Sequence, residues 1–382
     1  MGYGEDPTVE TNWYTIASPV TANYGAGSIT TGNYDLFSYF EPLHLWLNSK
    51  GDPTYNQSFD VLANGQGYLY ANGENKTLSF AGETQGTDNT VTLPLSYAAE
   101  GDLKGFNLVG NPFTRNLTSS DIIKIGNQNL TAYYAAENDA NFVAHYLDDD
   151  PIKPGQGFFV QAWEADQNLV INYKSRGGQA KSQTAYLRIE AGDEAFMDRA
   201  YLQIGDGNTL TKMNLMVNTP KVSVQYDGKE WAAATIKAPS GEIPVNFKAA
   251  KNGPHTISVN TKGLDLDYLH LIDNMTGANI DLLTTPSYSF SAKTTDYESR
   301  FKLVFDAPMD DASTNSATFA FLNNGEIVVN GEGMLQVIDM TGRIIVYRDA
   351  THRVSTTEMT PGIYVLRLIN GKDVKVQKMV IE

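Results

Sequence analysis

A chain of 382 residues without a single cysteine excludes disulfide staples, thiolate metal sites and cysteine nucleophiles, and it is long enough for two or three domains with separate cores. Acidic residues outnumber basic ones 44 to 28, a formal charge of −16, and residues 315–382 hold seven of each sign, so the whole excess lies upstream. Such a surface repels nucleic-acid phosphates and anionic lipid, which argues against both as partners, and no run of about 18 apolar residues is present to insert in a membrane.

The start, Met1-Gly2-Tyr3-Gly4-Glu5-Asp6, lacks the basic and apolar regions of a signal peptide. Internal repetition follows at once. The block Trp13-Tyr14-Thr15-Ile16-Ala17-Ser18-Pro19 is echoed by Phe106-Asn107-Leu108-Val109-Gly110-Asn111-Pro112. Further along, Gly65-Gln66-Gly67-Tyr68-Leu69-Tyr70 is echoed by Gly155-Gln156-Gly157-Phe158-Phe159-Val160. Two matched blocks in the same order and at nearly the same spacing define two copies of one unit, about 11–95 and 104–178, within a module spanning 1–180.

The first copy predicts strands at Trp13–Ile16, Tyr34–Phe40, Leu43–Leu47, Gly67–Tyr70 and Thr77–Phe80, short runs of aromatic and β-branched residues between Gly, Asn and Pro. Asn72-Gly73 predicts a type I′ hairpin turn between the last two. One such sheet leaves an apolar face wet, so the two copies are expected to pack face to face as a jelly-roll-like sandwich. Each Gly-Gln-Gly reads as a tight turn with positive φ opening a strand, its Gln capping backbone groups. Neither leads into a helix or carries Lys, which disfavours a phosphate cradle.

The polar stretch 174–183 marks a boundary. Across 184–306 nine strands are expected, Tyr186–Ile189, Ala200–Ile204, Ser223–Tyr226, Ala233–Ile236, Ile243–Phe247, His255–Val259, Tyr268–Ile272, Tyr288–Ser291 and Phe301–Phe305, with turns at Asp227-Gly228 and Asn252-Gly253. That density suits an Ig-like sandwich, with short helical turns at Ala195–Asp198 and Leu264–Asp267. A second linker, 307–317, is small, polar and acidic, and separates the tail 318–382. The fold expected is all-β throughout, a string of tandem β-sandwich domains.

The tail alternates strand-like runs with turns: Ile327-Val328-Val329, then Met334 to Val346 around Asp339-Met340-Thr341-Gly342-Arg343, then Thr360-Pro361-Gly362-Ile363-Tyr364, then Asn370-Gly371 and Val374 to Ile381. This pattern resembles the C-terminal sorting domain of type IX secretion substrates of Gram-negative bacteria. The resemblance implies a small Ig-like unit read by the export machinery, with Asp339, Gly342, Arg343, Pro361, Gly362 and Tyr364 as its motif residues. It also implies passage through the periplasm to the outer surface, with an export signal expected ahead of Met1, and removal of the tail near 307–317.

Upstream no signature of catalysis is found. His44, His145, His255, His270 and His352 form no HExxH or close pair, and the Gly-x-Ser-x-Gly elbow is absent. Asp148-Asp149-Asp150 is the densest carboxylate cluster and the one Ca²⁺ candidate, yet it lacks the spaced Asp loop, and a solvated loop is the favoured reading. Asp206-Gly207-Asn208 and Asp265-Leu266-Asp267 are weaker. No cofactor is expected. Trp46, Tyr133, Tyr134, Tyr146 and Trp163 would stack on sugar rings if exposed together, although alternation in strands favours burial. The chain therefore reads as a non-catalytic surface binding or adhesion protein with a glycan or host-surface ligand. The alternatives are the accessory end of a larger secreted hydrolase whose catalytic domain is absent here, and a glycosidase using a carboxylate pair in the N-terminal module.

Overall fold

The computed structural model describes every residue except 1–12, 26, 31, 52–58, 87–88, 99, 138–140, 173–184, 216–217, 307–318, 324, 350–352, 372 and 382. The expected boundary at 174–183, the junction 307–317 and His352 lie outside the described residues. The fold is all-β: among the described residues the single helical turn is the 3-10 turn Glu41–Leu43. That turn delays the third strand, which runs Leu45–Asn48, and no helix forms at Ala195–Asp198 or Leu264–Asp267.

The offset-matched blocks occupy matching places in two four-stranded antiparallel sheets. In the first, Tyr14–Ala17 lies beside Gly67–Asn72, then Tyr34–Phe40, then Leu45–Asn48. In the second, Phe106–Gly110 lies beside Gly157–Gln161, then Ala132–Glu137, then Asn141–Tyr146. The register agrees residue by residue, Ile16↔Tyr68 and Ala17↔Gly67 against Val109↔Phe158 and Gly110↔Gly157.

The sheets pack on each other through side chains, Tyr39, Leu69 and Trp46 of the first against Phe106, Leu108 and Phe159 of the second. Their backbones bond to each other at one corner, and reciprocally. Ala17 N–H donates to Gly155 O at 2.8 Å and Gly110 N–H to Gly65 O at 2.8 Å. Bridges pair Ile16 with Gln156 and Val109 with Gln66. Gly65 (φ 83°) and Gly155 (φ 72°) turn the chain into the corner. Gln66 Nε2 donates to Leu108 O at 2.9 Å, and Gln156 Oε1 accepts from Lys153 N–H at 2.9 Å. The second glycine of each motif has a different duty. A Cβ on Gly67 would lie 2.4 Å from Val109 O, and one on Gly157 2.9 Å from Ile16 O.

Asn72-Gly73 does not close a hairpin, and Thr77–Phe80 is not a strand. Neither Asn72 nor Gly73 has positive φ. The Asn72 carboxamide instead accepts from Glu74 N–H at 3.0 Å, a local Asx turn that competes with the ladder, while Gly73 N–H bonds Asn33 O at 2.9 Å. The matching strand of the second copy, Asn168–Asn172, joins a separate sheet with Ile122–Ile125, Gln128–Asn129 and Thr90–Pro94, the last drawn from the end of the first copy.

The second copy's main sheet is covered on both faces. Val109, Phe158, Val160, Tyr133 and Ala135 pack on Leu169, Ile171, Ile123 and Ile125. Phe106, Leu108, Phe159, Tyr134 and Tyr146 pack on Tyr186, Tyr201, Leu210, Met213 and Ala233 of the next region. A large side chain so buried contributes roughly 1.5–3 kcal/mol, and this shared core joins the N-terminal module to residues 185–306.

Those residues form one long ladder from Asn279–Asp281 at one end to Ser287–Ala292 at the other, rolled around a core that includes Val224, Val245, Phe247, Ile257, Phe290, Phe301 and Leu303. Tyr201–Ile204 and Ala233–Ile236 pair in parallel within it. The expected Asp227-Gly228 turn has the type I′ signature, φ 50° and 70°. A buried cation ties the two ends together. Arg300 donates to Asp273 Oδ1 and Oδ2 at 3.1 and 2.8 Å and to Ser291 O at 2.7 Å, and its guanidinium lies 4.4 Å from the Phe290 ring centroid.

Among the described residues, no strand of 319–381 pairs with a strand before it. Its two sheets enclose their own core of Phe319, Ile327, Leu335, Val337, Tyr364, Leu366, Leu368 and Ile381.

Two substitutions test these constraints. Gly67→Ala should cost about 1–3 kcal/mol by overpacking the corner, whereas Gly73→Ala, whose Cβ meets nothing nearer than 3.7 Å, should be close to neutral in urea unfolding. Arg300→Met should cost about 3–5 kcal/mol, because Asp273 is left buried and uncompensated. Pairing it with Asp273→Leu should recover much of that loss, and a double variant no better than the single would discount the ion pair.

Candidate functional site

A cleft of about 870 Å³ opens beside the glycine corner. One wall is Tyr14–Ile16 with Tyr70–Lys76. The other is Tyr133, Ala135, Ala136 and His145 with the turn Asp150–Gln156. The cleft follows from the fold: strands that bond at the corner also supply residues of both walls, Tyr14–Ile16 on one and Gly155 and Gln156 on the other.

Its floor is polar and internally braced. Tyr133 OH donates to Asp150 O at 2.6 Å, the Tyr133 and His145 rings stack with centroids 5.5 Å apart, and His145 Nδ1 lies 3.1 Å from Asp150 Oδ2. The hydrogen bond from His145 holds the Asp150 carboxyl below the usual carboxylate range, helped by the charges of His145, Arg199 and Arg188 and opposed by partial burial. On the other wall, Tyr70 OH shares a 2.7 Å hydrogen bond with Thr30 Oγ1 and accepts from Asn72 Nδ2 at 2.9 Å. Tyr14, 54% exposed, offers a free ring edge at the rim, and Lys76 pairs with Glu74 at 2.6 Å. A His–Asp pair stands here with no serine among the lining residues.

The three carboxylates of Asp148-Asp149-Asp150 divide between two partners, Lys262 for the first two and His145 for the third. Lys262 Nζ lies 2.8 Å from both Asp148 Oδ2 and Asp149 Oδ1. Ser119 Oγ donates to Asp148 at 2.6 Å, Tyr186 OH bonds Asp149, and Arg188 lies 3.7 Å away. Asp150 alone faces the cleft. The point a cation would share between Asp148 and Asp149 is held by an ammonium, and among the described residues no three His, Asp or Glu converge in a way that could hold a metal. Asp206 and Asn208 likewise serve the seam: Asn208 Oδ1 accepts from Thr131 and Ala132 N–H at 2.8 and 3.0 Å, and Asp206 Oδ2 accepts from Asn129 at 2.6 Å.

The aromatic candidates do not form a patch. Tyr133, Tyr134 and Tyr146 are at most 1% exposed, because their sheet is covered on both faces. Trp46 is half-buried against Tyr39 and Phe159. Trp163 packs on Trp231 with Lys229 over both rings. Tyr14, inside the repeated block and outward-facing, was not singled out by sequence reasoning. It shares a strand face with the buried Ile16, so no local alternation marks it as exposed.

In the tail, the motif residues form a compact turn. Asp339 Oδ1 accepts from Thr341 N–H, Thr341 Oγ1 and Arg343 N–H at 3.0, 2.6 and 3.0 Å, and Arg343 Nε donates to Oδ2 at 3.1 Å. The Thr341 hydroxyl leads in holding the Asp339 carboxyl below its ordinary range, and Gly342 supplies φ 86°. Beyond Pro361-Gly362, Tyr364 OH donates to Thr360 O at 2.6 Å.

A carboxyl held below its unfolded value adds stability above the ordinary carboxylate range and loses it as pH falls through the folded value. Asp150→Asn should therefore flatten the acid limb of stability below about pH 4. At pH 7 it should cost under about 1 kcal/mol, since the side chain is 43% exposed. Urea unfolding at stepped pH reads this; an unchanged acid limb would contradict it.

Residues 321–382 match the secretion system C-terminal sorting domain, and no curated protein matches the chain. This match supports a type IX secretion substrate, and a sorting domain of this kind implies secretion to the outer surface and interaction with the secretion machinery.

Proposed function

We propose that this chain is a non-catalytic binding or adhesion protein of the bacterial outer surface, with the cleft between the two N-terminal sheets as its ligand site and a neutral glycan as the ligand class. The observation that carries the reading is the cleft itself, a roomy polar trough with an exposed aromatic rim. Sugars present alternating apolar C–H faces and hydroxyl edges. An exposed tyrosine such as Tyr14 meets the former, and braced carboxylate, amide and hydroxyl groups such as Asp150, Asn72 and Tyr70 meet the latter.

Binding rather than turnover is favoured by how those groups are used. His145 is turned to Asp150, and the Tyr70 hydroxyl to Thr30 and Asn72, so the polar groups hold one another in place. Internal bracing of this kind preorganises a surface for binding. The rival, an accessory region of a larger secreted hydrolase, shares the same address and differs only in what the complete gene encodes.

A glycan array probed with the protein should give a discrete set of hits, each weakened tenfold or more by Tyr14→Ala. An empty array would remove the glycan reading, and hydrolysis of any bound polysaccharide would overturn the non-catalytic one. Deleting 319–382 should leave the remaining domains folded but retained in the periplasm, read by surface proteolysis of intact cells.

A further inference from the structure

A second pocket lies within the region 185–306. Strands Lys221–Tyr226 and Glu242–Lys248 pair so that Lys221 faces Lys248 and Ser223 faces Asn246. Val222, Val224, Val245 and Phe247 enter the core, so alternation sends Lys221, Ser223, Asn246 and Lys248 to the opposite face. There they line a pocket of about 310 Å³, with Lys212 and Thr219 closing over it.

Like charges directly across a ladder repel, and here three ammonium groups converge. Lys212 is bonded to the buried Asp198, and Lys248 pairs with Glu298 at 2.9 Å. Lys221 makes no ion pair among the described residues, although Asp198 lies near enough to favour its charge, and burial pushes its pKa down to about 8. The polar groups beside it are also incomplete. Asn246 is 8% exposed and donates its Nδ2 to Glu230 Oε1 at 2.6 Å. A carboxylate can only accept, so the orientation is fixed and Oδ1 is left as an acceptor; it has no partner. Thr219, 5% exposed, leaves its hydroxyl without one as well. Buried polar atoms are rarely left unpaired in folded proteins. Two such atoms beside an ammonium that makes no ion pair of its own among the described residues, in a pocket also lined by Glu230 and Glu298, describe the complement of a ligand.

We propose that this pocket binds a small hydroxylated carboxylate of the sugar-acid class, its carboxylate on Lys221 and its hydroxyls on Asn246 Oδ1 and Thr219 Oγ1. The volume sits at the low end for ligand pockets and suits a single ring. This site is separate from the N-terminal cleft, and its success or failure leaves the glycan reading of that cleft untouched.

Titration calorimetry of the full chain with sodium glucuronate at pH 7, with glucose and sodium acetate as counterparts, tests it. Glucuronate should give a saturable heat at least tenfold tighter than either counterpart. Lys221→Met, which removes a buried charge and should stay folded by circular dichroism, should weaken it tenfold or more. Thr219→Val, nearly isosteric, should weaken it several-fold and provides the test if the lysine variant misfolds. Glucose binding as tightly as glucuronate, acetate binding as tightly, full binding in Lys221→Met, or no heat with glucuronate at millimolar concentration would each overturn the proposal.

Discussion

The reciprocal backbone contact at the two Gly-Gln-Gly corners is the constraint on which the N-terminal half depends. Two hydrogen bonds of 2.8 Å, Ala17 to Gly155 and Gly110 to Gly65, bring strands from different sheets closer than side chains would permit. Gly67 and Gly157 are therefore fixed by what lies opposite them, each facing a carbonyl of the other sheet. The cleft is a geometric consequence, because the strands that meet at the corner also start its two walls. Tyr14 on one wall and Gln156 on the other belong to the same matched blocks that make the contact.

A second constraint holds the far wall still. The sheet containing Tyr133, Tyr134 and Tyr146 is buried on both faces, and each of these hydroxyls finds an acceptor: Asp150 O at 2.6 Å, Thr211 O at 3.2 Å and Gln203 Oε1 at 2.9 Å. Tyrosine suits such a layer because its ring fills the core while its hydroxyl bonds across the seam. Lys262 and Arg188 then clamp Asp148 and Asp149 from the neighbouring region. Asp150, next in sequence, is thus presented to the cleft from an anchored turn. The tail stands apart from this arrangement with a core of its own, which suits a unit whose recognition by an exporter is independent of its cargo.

Much of this was legible in the residues. Strands of the middle region fell almost where β-branched and aromatic runs placed them, and Asp227-Gly228 adopted its expected turn because both residues tolerate positive φ and nothing nearby competes. The Asp339–Arg343 turn was legible for the same local reason. What escaped the sequence was decided by third parties. Asn72-Gly73 has hairpin chemistry, but the Asn72 side chain turns to Glu74 N–H. Alternation in Ala132–Glu137 and Asn141–Tyr146 could not reveal that both faces are covered. Asp148–Asp150 looks like a cation site in one dimension, and the lysine that occupies it comes from more than a hundred residues further along, a separation no local pattern encodes. Lys221 was invisible because its significance rests on lacking a partner.

The negative charge upstream bears differently on the two pockets. A surface at −16 repels an approaching acid at long range, but that field is screened over about 8 Å in physiological salt. Inside a pocket the nearest charges decide, and around Lys221 these include two further ammonium groups, each paired with one carboxylate. The Glu230 carboxylate also lines the pocket, so three ammonium groups stand against three carboxylates there, and Lys221 is the lysine among them that makes no ion pair among the described residues. A neutral ligand entering the N-terminal cleft meets no such sorting, since Lys76 is cancelled by Glu74 at its rim. The same net charge thus leaves neutral ligands free to reach the cleft, while an acidic one depends on a half-buried lysine that has no ion pair of its own among the described residues.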